Sequence, residues 1–397
     1  MKSLSLALAT ALAVSATAAG ADVDLSPTKG LRIRGDWGQI HLGGRLHLDY
    51  AAFDDDLTPI DDDFDVRRGR PMLEVKLGDD FMAKLEYDFA SDSGWRAAWI
   101  QWDGIDWLKI RAGNQTVPFG LEEVSSSNDI VFNERSLISA LAPGYGTGVV
   151  LANSGRLVGK SRYTIASGVY TDPFGKESWD RHGSDHLGFA GRATFAPLVR
   201  KRAVVQLGAS FDYRDIKGDD SWSVSRRPGS KLAPPLIGAA LTDIDATKSF
   251  GVEAAAMFGP VLFAAEWMRS SVDRTGASLL SGADFDGFYA QASWVVTGER
   301  HRYSKGLATF GPVKPRSKLG AVEIGARWAR LDLSDSGVNG GDAGELTVAL
   351  NWWIRANARL NLNYARVKAD IVNPLLPPPL FVDDDPNVFG LRFIYHL

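Results

Sequence analysis

The sequence predicts an all-β fold: a transmembrane antiparallel β-barrel of about 16 strands, its third outer loop folded into the lumen. Three observations predict it. Alternation of apolar and polar residues recurs along the chain at about 9–11 residues per crossing. No run of about 18 apolar residues follows the N-terminal stretch, so no helix is offered to a bilayer. Short and long connections alternate, as they must when both chain ends lie on the periplasmic side.

The N-terminus reads as an export signal. Lys2 is the basic start, Leu4 to Val14 the apolar stretch, and Ala19-Gly20-Ala21 the small-residue cleavage site. The expected organisation is a cleaved signal peptide at 1–21, a short periplasmic segment at 22–38 and the barrel at 39–397, in the outer membrane of a Gram-negative bacterium. The chain has 397 residues and no cysteine. An exported protein without disulfides needs another source of stability, and a large closed sheet supplies one. Thiol catalysis and Cys-ligated metals are excluded. Of 44 basic residues, Lys2 leaves with the signal, so 43 face 48 acids and the mature charge is −5. The acids sit in runs, Asp54–Asp56, Asp61–Asp63 and Asp383–Asp385. No basic stripe of the kind nucleic-acid binders carry is present. The Asp runs are expected as solvated loop tips, with bridging through divalent cations to lipopolysaccharide as the other reading.

The first strand, 39–50, sets the pattern. Ile40, Leu42, Leu46, Leu48 and Tyr50 share one face; Gln39, His41, Arg45, His47 and Asp49 share the other. Further strands are expected near 64–77, 81–90, 94–103, 107–115, 146–152, 160–170, 186–197, 201–214, 248–258, 260–272, 285–299, 318–332, 342–355, 358–370 and 387–397. Even-numbered connections are tight turns such as Gly78–Asp80, Gly104–Asp106 and Gly259-Pro260. Odd-numbered ones hold the long loops: 51–63, 116–145, 171–185, 215–247, 273–284 and 371–386. The twelfth, 300–317, breaks this rule by being long on the turn side. Soluble sandwiches or a propeller are the rival, but sixteen such strands would need two cores and no linker is present. Trp95, Trp99, Trp102, Trp107, Trp267, Trp294, Trp328, Trp352, Tyr364 and Tyr395 are expected near strand ends or on outward faces, where rings form interfacial girdles.

Catalytic patterns are sparse. His41, Arg45, His47 and Asp49 line one face of the first strand, as any polar lumen wall would. His182 and His186 lie in a Gly/Asp-rich loop without the helix that would aim both at a metal. No phosphate-loop or dinucleotide fingerprint occurs. No enzyme activity, cofactor or metal is expected. Selective permeation instead needs matched charge at a narrow point. Candidate anion-steering residues are Arg45, Arg70, Lys109, Arg111, Arg192 and Arg327. The narrow point is assigned to the third loop, through Pro118, Phe119, Glu122, Glu134 and Arg135. That loop holds more acids than bases, which counts against an anion preference if the acids face the pore. A general or cation-preferring channel therefore stays open, as does a barrel hydrolase or a structural or adhesive barrel.

One stretch carries a family resemblance: Gly113-Asn114-Gln115-Thr116-Val117-Pro118-Phe119-Gly120-Leu121-Glu122, then Ser125-Ser126-Ser127 and Asn133-Glu134-Arg135-Ser136. A second runs from Gly287-Phe288-Tyr289-Ala290-Gln291 to Thr297-Gly298-Glu299-Arg300. A third is Gly320-Ala321-Val322-Glu323 with Arg327 and Leu350-Asn351-Trp352-Trp353. Together they make the chain resemble the phosphate-selective porin O and P family. The resemblance implies a sixteen-stranded homotrimeric porin among outer-membrane lipids and lipopolysaccharide, with the third loop in the lumen, passing phosphate, polyphosphate or related small anions. The chain has Thr116 where family members often have Lys, and it ends on Leu397 rather than an aromatic residue.

Overall fold

The computed structural model describes residues 20–90, 94–174, 186–216, 221–227, 229–275, 282–335, 337–373 and 380–397. A hairpin opens the described chain, β1 (Asp22–Ser26) and β2 (Gly30–Gly35). Then come β3 (Gly38–Asp54), β4 (Asp63–Leu77), β5 (Phe81–Asp88), β6 (Gly94–Ile105), β7 (Leu108–Thr116), β8 (Tyr145–Arg156), β9 (Arg162–Thr171), β10 (Gly188–Arg200) and β11 (Ala203–Asp215). A small hairpin, β12 (Trp222–Arg226) and β13 (Ile237–Leu241), interrupts the wall. The wall resumes with β14 (Ile244–Phe258), β15 (Val261–Arg274) and β16 (Ala283–Val295). A second small hairpin follows, β17 (Arg302–Ser304) and β18 (Thr309–Gly311). The last elements are β19 (Ala321–Asp335), β20 (Val338–Arg355), β21 (Ala358–Asn373), β22 (Leu380–Asp384) and β23 (Asn387–His396).

Sixteen of these strands form the closed wall, each antiparallel to its neighbours. The seam closes where β23 pairs with β3, from Asn387 opposite Asp54 to His396 opposite Arg45. Closure leaves no unpaired edge in the bilayer, the condition for a sheet to cross one. Below that seam, β2 takes over the edge of β3 from Leu31 opposite Leu42 to Gly35 opposite Gly38. The N-terminal hairpin thus continues the line of the C-terminal strand. No helix among the described residues is long and apolar enough to cross a membrane.

The wall obeys the expected alternation over much of its circuit. On β11, Gln206, Ser210 and Asp212 are buried inside while Leu207 and Phe211 are exposed outside. Ile100, Ile165, Phe189, Phe250, Phe263, Trp328, Leu346 and Phe389 belong to the same exposed outer belt. Such a belt is unfavourable in water and suited to lipid tails. Trp107, Trp294, Trp328, Trp352 and Tyr364 are on it, as expected. Trp95 and Trp99 are not: both line the lumen.

Alternation fails on one side, and the reason is packing. Met257, Leu262, Ala264 and Met268 on β14–β15, with Ala329, Leu331 and Val367 further round, face inward and are buried. Phe119, Leu121, Leu137 and Ile138 of the third outward loop press onto them, as do Val224, Ile237 and Leu241 of the β12–β13 hairpin. The hydrophobic core therefore lies inside the barrel, between one wall and two folded-in loops. The inward turn of the fifth outward connection, seen in its β12–β13 hairpin, was not expected from sequence. The long twelfth connection is a real excursion. Its β17–β18 hairpin enters the lumen, where Thr164 Oγ1 donates to the Lys305 carbonyl at 3.3 Å and Tyr303 Oη to Gln206 Oε1 at 2.8 Å.

Candidate permeation site

The third outward loop spans 117–144 and has Pro118 as its second residue, which cannot extend the β7 ladder. Gly120 follows with φ +65, and a Cβ there would stand 2.8 Å from Met268 Cε and 2.9 Å from Glu266 Oε2. Only glycine allows both the left-handed turn and the close approach to the wall. The approach matters because Leu121–Val124 then forms a one-turn helix, α1, with free N–H groups at its start. Glu266 of β15 takes two of them: Leu121 N donates at 2.6 Å and Glu122 N at 2.8 Å. The other end is closed by Arg135, whose guanidinium donates to the carbonyls of Glu122, Glu123 and Ser125, each at 3.0 Å.

Wall glycines receive the rest of the loop. A Cβ at Gly287 would meet Ile138 Cγ2 at 2.8 Å, and one at Gly325 would meet Val131 Cγ1 at 2.8 Å. Phe119 and Phe132 are buried, and each such side chain contributes about 1.5–3 kcal/mol of burial. Polar anchors complete the fit. Asn351 Nδ2 donates to the Val131 carbonyl at 2.8 Å, Asn133 N to Asn363 Oδ1 at 2.9 Å, and Arg392 to the Asn133 carbonyl. The loop thus crosses the lumen from β7 and lies against the wall from β11 round to β4.

The acids of this loop are spent on anchoring. Glu122 is buried; it accepts from Ser136 N at 2.8 Å and Ser136 Oγ at 2.7 Å, and lies 3.3 Å from Arg327. Glu134 is clamped by Arg67 at 2.8 and 3.0 Å and by Arg392 at 2.6 Å. Burial alone would raise the Glu134 carboxyl, but Arg67 and Arg392 hold it well below the usual carboxylate range. Glu123 pairs with Arg135 at 3.4 Å. Asp129 differs: burial pushes it up to about 6 against the pull of Arg359, His301 and Arg45, and it faces the channel.

Between the loop and the opposite wall runs a cavity of about 1210 Å³. Thirteen basic and six acidic residues line it, so its surface carries an excess of cations. Arg45 and Arg70 stand directly opposite each other on β3 and β4. Like charges in that register repel. Glu86 offsets this by taking Arg45 at 3.0 Å, Arg70 at 3.4 Å and Lys84 at 3.5 Å, and Asp88 takes Arg70 at 2.7 Å. Further along, the Arg111 guanidinium lies 4.2 Å from the Trp99 ring centre and donates to the neutral Gln101, so its charge is kept in place and not cancelled there. Lys109 sits 3.2 Å from Asp103 near the turn side.

Of the sequence-predicted steering residues, Arg45, Arg70, Lys109, Arg111 and Arg192 line the cavity. Arg327 does not. It points inward but is buried beneath the loop, held by Glu122, the Glu134 carbonyl at 3.0 Å and Glu345 at 3.1 Å, and stacked on Phe132. Arg192 lines the cavity and is also a clamp, bound to Glu253 at 2.6 and 2.8 Å and to the Leu307 and Ala308 carbonyls. Within the loop, Pro118, Glu134 and Arg135 reach the cavity. Phe119 and Glu122 belong to the loop but do not reach the cavity, because one packs on the apolar wall and the other is enclosed with Arg327.

Arg67, Arg68 and Arg226 were missed. The register of β4 slips between His47 opposite Arg68 and Leu48 opposite Val66. That bulge leaves Arg67 unpaired in the ladder and brings two consecutive arginines to the lumen. Two adjacent charges inside an alternating strand were the available signal. Arg226 arrives on the folded-in β12 and donates to the Arg135 and Ser136 carbonyls at 2.6 and 2.8 Å. The His47–Asp49 pair is engaged elsewhere: His47 bonds Asn128 at 2.9 Å and Arg68 at 3.2 Å, and Asp49 bonds Arg392. His182 lies outside the described residues; His186 stands 3.5 Å from Asp172.

A closed barrel with a lipid-facing belt and a loop-narrowed polar lumen is an outer-membrane porin. The chain belongs to the family described as phosphate-selective porin O and P, whose model matches residues 40–397. It is 26% identical to Porin O of Pseudomonas aeruginosa over 396 residues, covering 89% of this chain and 87% of that protein. Among solved structures it is similar in fold to the trimer form of OmpT from Vibrio cholerae, at 12% identity and TM-score 0.55, over 91% of this chain and 100% of that one. It is also similar to an anion-selective porin from Comamonas acidovorans, at 11% identity and TM-score 0.54, over 90% of this chain and 99% of that one.

Proposed function

We propose that this porin is a passive channel that prefers small anions, with phosphate and polyphosphate as the oxyanions it suits best, and that it performs no catalysis. The single observation behind the reading is the division of charge at the constriction. The loop acids are paired with arginines, Glu122 buried with Arg327 and Glu134 clamped by Arg67 and Arg392 at the cavity edge, while Arg45, Arg67, Arg70, Arg111 and Arg135 line the open side. An anion moving along that side exchanges hydration for guanidinium N–H groups, which fit phosphate oxygens in pairs. The excess of cations raises its local concentration. The family description and the name of the Pseudomonas relative agree with this.

The same reading places the working protein as a homotrimer in a Gram-negative outer membrane, among lipid and lipopolysaccharide, after removal of residues 1–21. Single-channel chloride current, measured while inorganic phosphate is titrated in, tests the solute. Phosphate should reduce the chloride current in a saturable way, and Arg67→Ala should weaken that block. Undiminished chloride current at every phosphate concentration would leave a general porin and remove the oxyanion preference.

A further inference from the structure

Behind the constriction loop, away from the open cavity, lies a second cationic group that the channel does not use. Arg359 of β21 is 1% exposed, and its guanidinium lies 4.3 Å from the Trp353 ring centre. None of its three nitrogens makes a hydrogen bond with any described residue. Two residues along on the same face, Asn361 is 0% exposed, and neither its Nδ2 nor its Oδ1 has a partner among the described residues. The register fixes the surroundings. Arg359 lies between Trp353 of β20 and Ile394 of β23, and Asn361 between Asn351 and Arg392. The loop roofs this patch, since Asn128 is pinned to His47 on one side and Val131 to Asn351 on the other.

The charge of Arg359 is not met by contact. Glu323 is occupied by His301 at 2.7 Å, Trp353 Nε1 at 2.9 Å and Asn351 at 3.3 Å. Asp129 faces the channel, and it attracts Arg359, as Glu323 does, without touching any of its nitrogens. A guanidinium presents five N–H donors and no acceptor, and the Asn361 amide adds two donors. Buried polar groups are paired in native proteins, and a buried charge needs an opposite charge close by. Water would satisfy the N–H groups and leave the charge. The geometry points to a structural site for a small inorganic anion, of halide or oxyanion type, held by Arg359 and Asn361 between the wall and residues 128–131 of the constriction loop. Such an ion fastens the loop to β21 at a place where no carboxylate of the described residues contacts the guanidinium. The site differs from the permeation path, whose cations line the open cavity.

Crystals of the detergent-solubilised protein soaked in bromide, with data collected at the bromine edge, test this. An anomalous peak within hydrogen-bonding distance of the Arg359 guanidinium is expected, and its absence overturns the site whatever appears in the channel. A peak at Arg359 with none near Arg67 or Arg111 would support this site and count against the anion preference of the pore, so the two readings fail separately. In solution, melting in chloride should exceed melting in gluconate at equal ionic strength. That difference should vanish in Arg359→Met and shrink in Asn361→Leu, which keeps the guanidinium and serves if the first variant does not fold. An undiminished difference in both would overturn the proposal.

Discussion

Glu134→Gln removes the carboxylate that ties the far end of the constriction loop to the wall. In the native protein it accepts two hydrogen bonds from Arg67 and one from Arg392, at 2.6–3.0 Å, with 17% of its side chain exposed. Hydrogen bonds to a charged group are worth about 1.5–3 kcal/mol against about 1 kcal/mol between neutral groups. Three such bonds weakened together loosen this segment by about 2–4 kcal/mol. That shifts its docking equilibrium by about 30-fold to 1,000-fold. Single-channel recording should show the steady wild-type level replaced by frequent excursions to a second level, with anion preference raised because Arg67 loses its counter-charge. The pH dependence carries a sign. The Glu134 carboxyl is held below its unfolded value, so its contribution is fully present above about pH 4.3 and is lost only as pH falls through the lower folded value. The wild-type level should therefore stay steady at pH 4.5. A Glu134→Gln channel with the wild-type level and noise would refute the anchoring argument.

Glu266→Ala leaves the first two N–H groups of α1 and the Tyr289 hydroxyl without their acceptor, and should lower stability by about 2–4 kcal/mol, read as a drop in melting temperature. Arg327→Met should cost stability while leaving charge selectivity near wild type, whereas Arg111→Ala should leave stability near wild type and lower anion preference; reversal potentials and melting curves on both variants check the contrast. Asp129 should titrate near pH 6, so anion preference should rise as pH falls from 7 to 5; the folded value is raised, so its stability contribution is present at low pH and lost as pH rises through about 6. Asp129→Asn should flatten that profile, and His301, which Glu323 holds above the ordinary imidazole value despite its burial, shifts the balance the same way.

The barrel was legible because lipid and lumen impose opposite chemistry on successive residues, and strand ends follow from where that alternation stops. Gln39–Tyr50 shows it in one line, and its pairing with β23 and β4 bears it out. The third loop was legible from Pro118 and its length. The two other intrusions were not, because their evidence is spread over the chain: Ile237 packs in one cluster with Phe285 and Leu331, and Arg192 holds the 307–308 carbonyls. Inward Met257 and Leu262 contradicted a polar lumen, and that was the trace such packing leaves in a sequence. Arg327 and Arg111 share one inward parity, yet a loop folded over one of them separates clamp from channel wall. Parity sees which way a side chain points and not what comes to cover it.

The central claim is that cations outnumber acids along the open path and that the loop carboxylates Glu122, Glu123 and Glu134 are paired with arginines. The reversal potential of the purified wild-type channel across a KCl gradient tests it most directly. The account predicts the sign of chloride permeating faster than potassium, moving toward zero in Arg67→Ala and Arg111→Ala. A potential of the opposite sign, with potassium the faster ion, would contradict it.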